Sequence, residues 1–245
     1  FVYMAVFGAF YFLVPYLINK PVKHPKLVVT NFWLQIIGVM VCWASGFFGL
    51  FNALYTLYWP LPVAFDRVPV IGSIFFMLGA AAIMVNILLF SYNIFKTVLS
   101  KNGDGSYTLG QFLRAAFGIP RLMKLLGKED KHAVNMDYNG MPVFIVAVAR
   151  GSIDTVINAI VLLSAGVLIL VYGLFALFGN PLNPLAVDAL IFKNVYWWGL
   201  DMVADGNALI YTAGVWYLLV PLLTGRPLYG ASVVKTVIMV DLHVS

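Results

Sequence analysis

Tyr196-Trp197-Trp198-Gly199-Leu200-Asp201-Met202-Val203-Ala204-Asp205-Gly206-Asn207-Ala208-Leu209-Ile210-Tyr211 decides how this chain is read, because two carboxylates interrupt an otherwise apolar run. Residues i and i+4 of an α-helix share a face, so the run predicts Asp201 and Asp205 side by side on one helix. An ionised carboxylate in apolar surroundings is costly unless something positive meets it. The pair is therefore the first candidate for function.

Composition carries that reading to the whole chain. The sequence is 62% hydrophobic and 10% charged, with a mean hydropathy of +0.93. Soluble domains carry about 25% charged residues, so this is an integral membrane protein. A single cysteine, Cys42, excludes a disulfide framework and a cysteine-based metal cluster. No basic segment followed by a cleavage site opens the chain, which argues against a signal peptide. Phe1 falls inside an apolar run and Ser245 follows one that is only beginning, so a fragment of a longer chain is expected.

A bilayer core asks for about 20 apolar residues per helix. Candidate spans are 1–18, 28–57, 69–98, 143–178 and 188–222, with an incomplete one from about 230. The fold class is thus all-α, a polytopic transmembrane helix bundle forming a single domain over 1–245. Connections 19–27, 99–141 and 223–229 then share one side. They hold Lys20, Lys23, Lys26, Lys101, Arg114, Arg121, Lys124, Lys128, Lys131 and Arg226, against Arg67 and Lys193 opposite. By the positive-inside rule the basic side is cytoplasmic. The net charge of +5 is a topology signal rather than one for nucleic acid. Within 99–141, residues 109–127 form a basic amphipathic stretch broken by Pro120, either an interfacial helix or a solvated loop.

Polar residues inside the spans are few. Arg150 and Asp154 stand at i, i+4 in the fourth, as a mutual ion pair or beside a proton path or cofactor propionate. Asn86 and Asn93 share a face of the third and suit interhelical hydrogen bonds. Trp43, Trp59, Trp197, Trp198 and Trp216 read as belt or packing residues. His24 and His132 lie in loops and are expected in solvent; His243 alone cannot carry a ligand assignment. Asp201 lies about 13 residues into the fifth span, roughly 20 Å along a helix, near mid-membrane. Its pairing with Asp205 is open between helix–helix hydrogen bonding, metal coordination and proton relay.

Several segments resemble the catalytic subunit of haem-copper oxidases. Phe10-Tyr11-Phe12-Leu13-Val14-Pro15, Asn31-Phe32-Trp33-Leu34 and Tyr55-Thr56-Leu57-Tyr58-Trp59-Pro60-Leu61-Pro62 look like that family's helices II and III. Gly72-Ser73-Ile74 through Asn93-Ile94-Phe95-Lys96-Thr97 is similar to helix IV, and Met141-Pro142-Val143-Phe144 to the start of helix V. Tyr196-Trp197-Trp198-Gly199 resembles the approach to the helix VI metal site, and Leu219-Val220-Pro221-Leu222-Leu223-Thr224-Gly225-Arg226-Pro227 its exit. The resemblance covers nearly the whole chain, in order, from helix II to the start of helix VII.

The resemblance implies a low-spin haem, a high-spin haem and a nearby copper or non-haem iron. Most of the family's histidine ligands would fall outside this sequence. It implies a respiratory oxidoreductase reducing O2 or NO in a prokaryotic-type cytoplasmic membrane. Membrane lipid, other respiratory subunits and a cytochrome, cupredoxin or quinol donor would be its partners. Asp201 falls where oxidases carry a metal-ligand His, and Asp205 where they carry a Tyr four residues on. Asp205-Gly206 resembles the Glu-Gly of nitric oxide reductases. Asp201 and Asp205 are then metal ligands, with Asp205 catalytic and Trp197 and Trp198 beside the cofactor. Carboxylate oxygens suit iron better than copper. A scaffold subunit that kept the fold and lost the metal site is the alternative, and a transporter using the two aspartates ranks last.

Overall fold

In the computed structural model the described residues are 2–51, 57–99, 123, 126–128 and 143–240, and the regular elements among them are all helical. They are α1 (Val2–Ile18), α2 (Pro25–Phe47), α3 (Val70–Leu99), α4 (Val143–Leu177), α5 (Ala189–Asp201), a π turn (Met202–Gly206), α6 (Asn207–Thr224) and α7 (Ala231–Val240), with short 3-10 turns at Leu61–Val63 and Pro184–Ala186. Four of these, α2, α3, α4 and α6, are long and apolar enough to cross a membrane. Helices satisfy every backbone donor and acceptor internally, which lipid demands. The basic amphipathic stretch at 109–127 lies almost wholly outside the described residues.

The chain divides into two compact units. One comprises Lys26–Phe90 and Val156–Val203. Within it α2 and α3 meet through small residues: a Cβ on Gly79 would stand 2.6 Å from the Cys42 Sγ and 2.8 Å from the Gly38 carbonyl oxygen. Such contact between backbones is what small residues permit where lipid offers no hydrophobic drive for association. An amide cluster locks the pair, the Asn31 amide donating to the Asn86 side chain and backbone, and Asn86 donating to Gln35 Oε1 at 2.6 Å.

Trp59 anchors the end of this unit. Its ring is edge-on to Tyr172 at 5.1 Å, and its Nε1 donates to the Pro184 carbonyl at 2.8 Å. The second span, expected to run to residue 57, ends as a helix at Phe47. The chain there adopts a positive φ of 52° at Leu50, and Gly49 approaches Gly72 too closely for any side chain. A helix cannot continue through that crossing.

The other unit comprises Phe1–Pro25, Ser91–Thr155 and Ala204–Ser245. Phe10, fully buried, sits edge-on to Phe144 at 5.1 Å and to Tyr211 at 5.0 Å, joining α1, α4 and α6. Gly214 lies against Ala147, where a Cβ would come within 2.7 Å of the alanine methyl. Gly225 ends α6 with φ 64°, the left-handed cap that glycine adopts without strain.

Gly79→Val is expected to destabilise the protein by about 1–3 kcal/mol, the range for overpacking. Gly46→Val, at a position with open space around it, is the control. Thermal unfolding in mild detergent compares the two; equal midpoints would disprove the close α2–α3 contact.

Candidate functional site

The fifth span begins at Asp188, whose Oδ1 accepts from Leu190 N at 2.9 Å and Ile191 N at 2.8 Å. That N-cap satisfies two of the donors a helix start leaves open. α5 then runs closely along α4: a Cβ on Gly199 would stand 2.8 Å from the Leu162 backbone nitrogen. Two residues later comes Asp201, at the last position of α5.

Here the structure departs from the continuous helix expected from sequence. Met202–Gly206 form a π turn that contains Asp205. A π turn bonds i to i+5, so the i, i+4 stacking of an α-helix does not apply to the two aspartates. Both are exposed rather than buried in the apolar surroundings that the sequence predicted. In a membrane-crossing run exposure does not mean water, so each carboxylate still calls for a partner or a polar surrounding. Single π turns inside α-helices occur frequently at functional sites.

Trp198 is 45% exposed, whereas Trp197 packs on the Trp59 cluster and lies edge-on to Tyr196 at 6.4 Å. Trp43 and Trp216 are exposed at 52% and 58%, as belt residues would be, while Trp59 is buried as a packing residue. An apolar cavity of about 340 Å³ opens beside α5, lined by Tyr196, Leu200, Leu162, Met77, Met84 and Cys42 among others.

Arg150 and Asp154 form a direct ion pair, Nη1 to Oδ2 at 3.0 Å, with side chains 1% and 10% exposed. The ion-pair alternative is thus the one observed. Adjacent to this pair, on the same turns of α4, lies a hydroxyl cluster that its spacing in sequence had not marked out. Thr155 Oγ1 donates to the Gly151 carbonyl at 2.6 Å, accepts from Asn207 Nδ2 at 3.1 Å, and lies 3.2 Å from the Tyr211 hydroxyl. Gly151 makes room for this: a Cβ there would collide with the Tyr211 ring at 2.5 Å. Ser91 and Ser152, both fully buried, stand beside the same phenol. The signal was available, since Asn207 and Tyr211 are i, i+4 polar groups within an apolar span.

Asn86 and Asn93 both make the interhelical bonds expected of them, Asn86 as above and Asn93 to the Tyr11 hydroxyl at 3.3 Å. His24 is half-buried, and it is its backbone rather than its ring that is tied down. Asn93 holds both its backbone N–H, at 3.1 Å, and its carbonyl, at 3.0 Å, and its ring stacks on Tyr92. His132 and His243 lie outside the described residues.

The family model for cytochrome c and quinol oxidase polypeptide I matches residues 1–242. The chain belongs to this haem-copper oxidase family. No curated protein and no solved structure matches it significantly. Members of the family are oxidoreductase subunits that typically bind haem and copper. Among the described residues no group of three His, Cys, Asp or Glu side chains is arranged to hold a metal. The described donors of this haem-copper oxidase subunit therefore do not make a metal centre by themselves. Asp201 and Asp205 offer two hard oxygen ligands and no nitrogen or sulfur.

Asp154→Asn leaves the Arg150 charge buried without its counter-ion, and should cost about 3–5 kcal/mol of stability. The pair Arg150→Met with Asp154→Leu should recover most of that loss, because it removes both charges together. Thermal unfolding of the two variants checks this; a wild-type midpoint for Asp154→Asn would contradict it.

Proposed function

We propose that this subunit is the electron-accepting end of a respiratory chain, transferring electrons to O2 or NO at a haem and a second metal. Asp201 and Asp205 contribute oxygen ligands to that metal, and Asp205 also takes part in proton transfer to the reduced substrate. Family membership over residues 1–242 carries the reading. The π turn holding Asp205 within a membrane-crossing helical run supports the assignment to this region. When bound, the haem and metal supply the electrons and the site at which the oxygen-containing substrate is reduced.

The chain's own residues supply the rest. Gly199 holds α5 against α4 and so fixes the backbone from which Asp201 projects. Trp197 and Trp198, just ahead of the aspartates, form a wall of the cofactor site. With oxygen donors only, the helix VI position favours iron over copper, which leans the reading toward the nitric oxide reductase branch. The connections 19–27, 99–141 and 223–229 face the cytoplasm by their lysines and arginines. Electrons arrive from a cytochrome, cupredoxin or quinol through companion subunits.

The alternative, a scaffold subunit without a second metal, is favoured by the loss of the family's His at position 201. Metal analysis and optical spectra of the purified complex separate the two. A catalytic subunit has a CO-responsive high-spin haem together with a second metal in equal amount. Asp201→Asn should deplete that second metal at least tenfold while the haem content stays unchanged. Retention of the metal in Asp201→Asn would remove its ligand role, and absence of a CO-responsive haem in the wild type would remove the catalytic reading.

A further inference from the structure

The connector between α1 and α2 is held against the end of α3 more firmly than a surface turn requires. Asn93 grips both the N–H and the carbonyl of His24, at 3.1 and 3.0 Å. Thr97 Oγ1 accepts from the Lys23 N–H at 3.1 Å and itself donates to the Asn93 carbonyl at 2.7 Å. Asn93 and Thr97 are fully buried. The result is a rigid surface that carries positive charge. The His24 ring lies nearly parallel to the Tyr92 ring, 5.8 Å between centroids at 14°. Lys96 Nζ sits 5.7 Å from the centroid of the same ring. Lys23 is exposed one residue before His24, and Lys96 is exposed in the last turn of α3.

None of Lys23, His24 and Lys96 pairs with a carboxylate among the described residues. Charges gathered on a pre-ordered surface, with no counter-ion among the described residues, repel one another unless an anion joins them. The chain's location narrows the choice of anion. α1 ends at Ile18 and α2 begins at Pro25, so the connector lies where a membrane-crossing helix leaves the hydrocarbon. Phosphates at that depth belong to lipid headgroups, and basic pockets between helices at the interface bind anionic lipids. Tyr92, 48% exposed, suits the same boundary, its ring at the apolar edge and its hydroxyl toward the headgroups.

We infer that Lys23, Lys96 and the His24–Tyr92 stack form a binding site for the phosphodiester headgroup of an anionic membrane lipid. The lysines neutralise the phosphate, and the two stacked rings form the edge against which the glycerol lies. Asn93 and Thr97 are positioning residues, which keep the connector ordered so that little entropy is lost on binding.

The test uses the full-length protein in its complex, washed free of native lipid and exchanged into phosphatidylcholine containing trace phosphatidylglycerol. Retained phosphatidylglycerol is counted by mass spectrometry. Each neutralised lysine should weaken retention about fivefold, and Lys23→Gln with Lys96→Gln together by about twenty- to thirtyfold. Both are exposed, so folding is preserved and checked by the unchanged unfolding midpoint. Lys128→Gln, which neutralises another exposed lysine, should leave retention as in the wild type. Equal retention in the wild type and the double variant would overturn the inference, since the lysines would then be neutralised by the chain's own acids. An equal loss in Lys128→Gln would overturn it too, by reducing the effect to general surface charge.

Discussion

Inside a bilayer no water stands ready to bond a peptide group, an amide or a hydroxyl, so each must find its partner within the protein. The backbone meets this demand by folding into helices, and many polar side chains in the spans repeat it. Asn31, Gln35 and Asn86 bond to one another. Asn93 and Thr97 bond to the connector beyond α1. Thr155, Asn207 and Tyr211 close on themselves, and Arg150 closes on Asp154. In lipid such bonds resist loss because a polar group left open has only hydrocarbon to meet, and they fix which face of each helix turns inward.

Packing follows the same economy of contact. Apolar side chains gain little by leaving lipid for one another, so helices associate through close approach and shape. Gly38 against Gly79, Gly199 against Leu162 and Gly151 beneath the Tyr211 ring are the places where a missing side chain allows it. Two of these position polar groups. Gly199 fixes the segment that leads into Asp201, and Gly151 admits the ring that carries the Tyr211 hydroxyl.

Much of the architecture was legible in the sequence because membrane spans are written in composition. The runs at 1–18, 69–98 and 143–178 became α1, α3 and α4 with their ends within a residue or two. The run at 28–57 misled, since hydropathy continues past Phe47 although the backbone turns where Gly49 crosses Gly72. Arg150 with Asp154 and the two asparagines were readable from spacing alone. The π turn was not, because one extra residue in a helical turn changes no composition and leaves the apolar pattern nearly intact. The exposure of Asp201 and Asp205 was hidden for a related reason: hydropathy identifies a span but not which of its faces is covered.

The Thr155 hydroxyl has one proton and two lone pairs, and its neighbours use all three. The proton goes to the Gly151 carbonyl, and one lone pair receives the Asn207 amide. The bond to Tyr211 must then use the remaining lone pair, which makes the phenol the donor. The bonds therefore have a direction, from Tyr211 into Thr155 and out onto the α4 backbone. It can reverse only if the Thr155 hydroxyl turns away from Gly151.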